Sequence, residues 1–164
     1  MKVLSKQHNS RMCMVCGMDN PFGIKAQFYN MEDGSAVSPF RFAKHHQSYP
    51  GRVHGGMITS VLDELGLRAA WAKDNGIWGV TMSLEVKFRK PVPYDTPLFA
   101  KGIVLSKTSK FLKTKAYIFD TDGARLSEAD ICYLILPPEN ISDADCHEEM
   151  CYYIADDILS LDCP

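Results

Sequence analysis

A histidine, two glycines and, nine residues past the histidine, an aspartate stand in "GRVHGGMITSVLDELG", residues 51–66. Gly55 and Gly56 fall where an apolar, helical pattern begins. The first N–H groups of a helix have no partner inside it. Two residues without side chains let a ligand come close to those groups, and a helix N-terminus favours negative charge. The pair is therefore a candidate oxyanion hole, in which one donor contributes roughly 3 kcal/mol to a transition state. A tight loop-to-helix turn would ask for the same glycines. Asp63 sits about two turns into the helix, among Ser60, Gly66, Leu67 and Ala70, a face that is small and weakly polar. A buried carboxylate without a partner costs several kcal/mol or takes up a proton. Glu64 projects about 100° further round and can occupy a polar face instead. On spacing alone, a chemical and a structural role for Asp63 stay equally open.

Other groups offer less. His45, His46 and His54 share a loop without i, i+4 pairing, which suits hydrogen bonding or solvent better than metal. Cys13-x-x-Cys16-Gly17 is half of a zinc knuckle, and Cys132, Cys146, His147, Cys151 and Cys163 supply no second C-x-x-C. Phosphate loops, dinucleotide fingerprints and nucleophile elbows are absent from the sequence.

The elements that must position these residues follow from periodicity. Residues 57–74 carry Met57, Ile58, Val61, Leu62, Leu65, Ala69 and Ala72 at spacings of three, four and seven, which predicts a largely buried helix. Asn75-Gly76 ends it. Before it, residues 26–30 and 36–42 read as strands around Asp33-Gly34, and residues 1–25 read as irregular. After it come strands at 80–88, 97–106, 111–120 and 125–136, the last three joined by short turns as in an antiparallel meander. In the first of these, Val80, Met82, Leu84, Val86 and Phe88 share one face and Thr81, Ser83, Glu85 and Lys87 the other, by strict alternation. One apolar helix against an antiparallel sheet is an α+β architecture. A single domain is expected over 1–136, and an acidic tail over 137–164 that forms an added helix near 143–161.

The whole chain of 164 residues suits one domain, and its net charge of −2 gives no global pull toward nucleic acid. The basic residues nevertheless concentrate between Lys87 and Lys115, while Lys and Arg are missing beyond Pro137. The strand region can meet an anionic partner and the tail repels one. No apolar run reaches the roughly 18 residues of a membrane span. The N-terminus lacks a signal peptide's apolar core, so a cytoplasmic protein with free thiols is expected.

With the helix placed, the chain resembles the hotdog-fold acyl-CoA thioesterases of the phenylacetate-pathway (PaaI-like) branch over roughly residues 13–136. The carrying residues are "NPFGIK" at 20–25, "YPGRVHGGMITSVLDELG" at 49–66 and "GVTMSLEVKFRKPVP" at 79–93. The resemblance implies a sheet wrapped around one central helix. It implies hydrolysis of an acyl- or aroyl-CoA, with Asp63 as general base or nucleophile and the Gly55–Gly56 backbone polarising the thioester carbonyl. His54 and Gln47 would orient the loop and the thioester. Thr81 matches a hydroxyl residue that the family draws from the opposite subunit, and Arg89, Lys90 and Pro91 match its CoA contacts. The implied assembly is a homodimer, in places a dimer of dimers, without metal, cofactor, nucleic acid or membrane. Ser48 and Arg52 depart from the pattern, which has a glycine and an apolar residue there. Two rival activities belong to the same reading. One is an enoyl-thioester dehydratase using His46, and the other is a non-catalytic acyl-CoA-binding module that would have no need of Asp63.

Overall fold

The computed structural model describes residues 1–164. Its long helix, α1, spans Gly55–Trp71 and carries Ile58, Val61, Leu62, Leu65, Ala69 and Ala70 on its buried side. Seven strands form one antiparallel sheet: β1 (Val3–Lys6), β2 (Tyr29–Met31), β3 (Ala36–Phe40), β4 (Gly79–Phe88), β5 (Leu98–Lys107), β6 (Phe111–Phe119) and β7 (Arg125–Ile135). Their spatial order is β1-β2-β3-β5-β6-β7-β4, so β4 is a sheet edge bonded only to β7. The sheet curls about α1, which packs against β3 to β7. Leu98, Ala100, Leu112, Ala116, Ile118, Ala129, Ile131 and Tyr133 close the core from the sheet side.

Two glycines set how closely helix and sheet approach. A Cβ at Gly66 would lie 2.3 Å from the Tyr133 hydroxyl, and one at Gly102 would lie 2.5 Å from the Leu65 carbonyl oxygen. The missing side chains thus let β5 and β7 sit directly on the helix backbone.

The expected helix and meander match the structure to within two or three residues at their ends. Three expectations do not hold. Val3–Lys6 is a strand rather than irregular chain, extending the sheet past β2 through pairs such as Lys6 with Tyr29. Its alternation is too short to register as a pattern. The acidic tail has two short turns, a 3-10 turn at Pro138–Asn140 and an α-helical turn at Cys146–Glu149, in place of a helix over 143–161. Its remainder lies antiparallel to the N-terminal segment, bridging Lys2 with Ser160 and Asn9 with Tyr152, and Asp156 meets Lys6 and the Tyr29 hydroxyl. The tail's acids thereby find donors that a free helix would lack. Finally, β4 does not alternate strictly. Its pairing with β7 steps from Thr81–Tyr133 to Ser83–Cys132, leaving Met82 as an extra residue. No helix is long and apolar enough to cross a membrane.

Candidate active site

The turn leading into α1 is locally determined. Gln47 bridges to Val53, and the His54 N–H donates to the His46 carbonyl, which brings the loop back to the helix start. His54 is the N-cap, in extended conformation at φ −65° and ψ 136°, and its Nδ1 accepts the Gly56 N–H at 2.9 Å. The two glycines therefore differ. Gly56 donates to His54, while the Gly55 N–H has no acceptor within the chain. The free donor at the helix N-terminus belongs to Gly55, with the helix dipole behind it.

Around Gly55 a cleft of about 420 Å³ is lined by Tyr49, Arg52, Phe88, Arg89, Lys90 and Pro91, among others. The basic residues expected to meet an anionic ligand thus share a wall with the free N–H. Arg89 is anchored there by Glu128, 2.7 Å away, a buried carboxylate that Arg125 also holds. The two guanidiniums keep the Glu128 carboxyl below its ordinary range, the Arg89 bond contributing most.

Asp63 lies elsewhere. It is half-buried, and its Oδ1 accepts the Thr81 hydroxyl at 2.8 Å. Burial pushes its pKa above the usual carboxylate range, and the Thr81 hydrogen bond opposes that rise. On the other side, the Tyr133 hydroxyl donates to the Asp63 backbone carbonyl at 2.5 Å, through the space left by Gly66.

Within the chain the Thr81 hydroxyl meets Asp63, so these two side chains stand together as one half of a site. The bulge is the reason. An extra residue at Met82 shifts the alternation by one, so Thr81 falls on the same face as Leu84 and Val86, which pack against the core beside α1. Strict alternation would have pointed Thr81 away from the helix.

Of the remaining expected site residues, Gln47 is exposed and accepts the Tyr94 hydroxyl at 3.1 Å, at the rim of the loop. His46 is committed to structure. Its Nδ1 accepts the Ala43 N–H at 3.0 Å and its Nε2 pairs with the Phe22 carbonyl at 2.9 Å. Neither ring nitrogen is left for an acid–base role of the dehydratase kind. Tyr133 and Tyr94, both touching site residues, were missed from sequence, where they read as ordinary strand and loop aromatics.

A single buried helix wrapped by an antiparallel sheet, with two glycines opening the helix behind a histidine cap and an acid two turns in, defines a hotdog-fold protein. The Thioesterase superfamily profile matches residues 50–127. A candidate esterase of Saccharolobus solfataricus is 32% identical over 100 residues, which is 61% of this chain and 71% of that protein. The acyl-coenzyme A thioesterase THEM4 of Mus musculus is 29% identical over 119 residues, 70% of this chain but 49% of the relative. The chain thus spans about half the length of that mammalian protein. A hypothetical thioesterase from Streptococcus pneumoniae, solved with coenzyme A, shares the fold at a TM-score of 0.62 and 20% identity, over 68% of this chain and 86% of that one. The chain belongs to the thioesterase superfamily.

Proposed function

We propose that this protein hydrolyses acyl- or aroyl-CoA thioesters, with Asp63 as the base that takes a proton from the attacking water. The contact between Thr81 and Asp63 carries the reading. It fixes Oδ1 of a half-buried carboxylate and leaves Oδ2 for water. The raised pKa brings Asp63 nearer to neutral pH, where a general base is more effective. The Gly55 N–H polarises the carbonyl and stabilises the oxyanion of the tetrahedral intermediate. Collapse of that intermediate expels the CoA thiolate. Arg52, Arg89 and Lys90 around the cleft suit the phosphates of CoA, and the coenzyme A in the Streptococcus pneumoniae neighbour supports that ligand class.

Two chains are needed. Asp63 follows Gly55 by eight residues, about 12 Å of helix rise and about 80° of rotation. A carbonyl oxygen bound at about 2.9 Å from the Gly55 nitrogen keeps its carbon beside the helix start, away from a water on Asp63 of the same chain. The free edge of β4 offers the solution. It is ten residues long, with Met82 58% and Phe88 55% exposed, and such an edge calls for a partner. Pairing β4 with β4 about a two-fold axis makes an isologous homodimer. Asp63 and Thr81 of one chain then face Gly55 of the other. The six free cysteines suit a reducing, cytoplasmic setting.

The test is a thiol-trapping assay over a panel of acyl- and aroyl-CoAs. Release of CoA with at least one of them, lost in Asp63→Asn, is expected. Tight binding of CoA thioesters with no release of thiol would overturn hydrolysis in favour of a binding module.

A further inference from the structure

We infer that Cys13, Cys16 and Glu64 form a zinc site that fastens the N-terminal segment onto α1. The sequence offers only half a knuckle, and the fold supplies the third donor from the helix. The two sulfurs and a Glu64 carboxylate oxygen all lie within 4.8 Å of one another. Zinc bonds of about 2.3 Å to sulfur and 2.0–2.2 Å to oxygen in a tetrahedron set sulfur and oxygen roughly 3.5–3.7 Å apart and the two sulfurs about 3.8 Å apart. The Cys13 sulfur is 3.7 Å from Glu64 Oε2.

The turn is shaped for a thiolate. The Val15 N–H points to the Cys13 sulfur at 3.3 Å, and the Gly17 N–H closes on the Cys13 carbonyl at 2.8 Å. A Cβ on residue 17 would stand 2.3 Å from that carbonyl oxygen, so the turn requires glycine. Cys16 is fully buried, with the Ser10 hydroxyl 3.2 Å from its sulfur.

Arg68 completes the surroundings. This buried guanidinium donates Nε to Glu64 Oε1 at 2.9 Å and Nη2 to the Cys16 sulfur at 3.1 Å. It orients both ligands from outside and leaves Oε2 turned toward the sulfurs. Two thiolates and a carboxylate carry three negative charges, which a divalent ion and Arg68 neutralise together. Soft thiolates favour zinc over magnesium or calcium. Cys13 and Glu64 are only partly buried, so water can fill the fourth position. Glu64 projects about 100° round the helix from Asp63, which makes the ion a clamp on the catalytic helix rather than a participant in hydrolysis.

The full chain is purified under reducing conditions without chelator, and its metal content is measured. About one equivalent of zinc per chain is expected, and cobalt added after chelation should give sulfur-to-cobalt charge-transfer absorption. Cys13→Ser and Cys16→Ser should abolish that absorption, and Glu64→Gln should alter it. Cys13 is partly exposed, so Cys13→Ser is the variant expected to keep the fold, as circular dichroism can verify. Chelation should lower Tm in the wild type and leave Tm of Cys13→Ser unchanged. A reduced wild-type protein that holds no zinc and gives the same cobalt spectrum as Cys13→Ser would overturn the site. So would a Cys13–Cys16 pair that binds no metal and forms only a disulfide. Neither result bears on thioester hydrolysis, which is assayed separately.

Discussion

The proposed division of labour between two chains can be tested by rescue. Gly55→Pro removes the one free N–H at the helix start. Proline is well tolerated at the first helical position. The preceding His54, at φ −65° and ψ 136°, already has the extended conformation that a following proline demands. A Cβ at residue 55 would meet the Phe88 ring at 3.4 Å, an ordinary contact. The fold should therefore survive while kcat falls about 10²–10³-fold, the cost of one oxyanion donor. Asp63→Asn should cost at least about 10²-fold by loss of the base. In a mixed dimer of the two, one site combines both lesions. The other combines an intact Gly55 with an intact Asp63. Random assembly of equal amounts makes half the dimers mixed, each with one working site, so about a quarter of wild-type activity should return. The Asp63→Asn and Thr81→Ala pair is the control. Both lesions strike the same half of the site, and no mixed dimer regains activity. Co-expression with two affinity tags isolates the mixed species for steady-state kinetics. Isolated mixed dimers no more active than their parents would refute the shared site.

Three further outcomes follow from the same contacts. Burial raises the Asp63 pKa in the folded state, so the stability it contributes is fully present below its unfolded pKa and is lost as pH rises through the folded value. Asp63→Asn should thus raise Tm at pH 7 by about 2–4 °C, the scale of about 1 kcal/mol, and the gain should vanish below about pH 4 in calorimetry. The acid limb of kcat/KM should titrate above the ordinary aspartate range, and Thr81→Val should move it higher still, because the Thr81 bond lowers the Asp63 pKa; an unmoved limb in pH–rate profiles would deny that role. Gly66→Ala would set a methyl 2.3 Å from the Tyr133 hydroxyl and 2.6 Å from Thr114 Oγ1, so denaturant unfolding should report a loss of about 1–3 kcal/mol, partly recovered by Tyr133→Phe.

Much of this architecture was legible in the sequence because long periodic elements announce themselves. The buried helix, the meander and the two glycines at the helix start all rest on local patterns. The failures share a cause, since each depends on a partner distant along the chain. A four-residue strand gains meaning only beside β2, and the end of the acidic tail lies antiparallel to the N-terminal segment that bonds it. His54 could have been read as a cap, which would have singled out Gly55. The pairing of Thr81 with Asp63 needed the bulge, and nothing in "VTMSLEV" marks Met82 as the extra residue. Glu64 could join Cys13 and Cys16 only once the segment had been laid across α1.

The bulge also divides β4 into two reading frames. From Leu84 onward the frame is set by the oily layer, and at Thr81 it is set by the carboxylate. A substitution that improves packing at Leu84 or Val86 leaves the hydroxyl untouched, and one that tunes the hydroxyl leaves the packing untouched. The register behaves differently. Deleting Met82 would merge the frames and leave residue 81 on the inner face opposite Tyr133, whereas closing the bulge by sliding the upstream half one residue along β7 would turn residue 81 outward with no change in composition. This strand is therefore tolerant of spelling and intolerant of slippage.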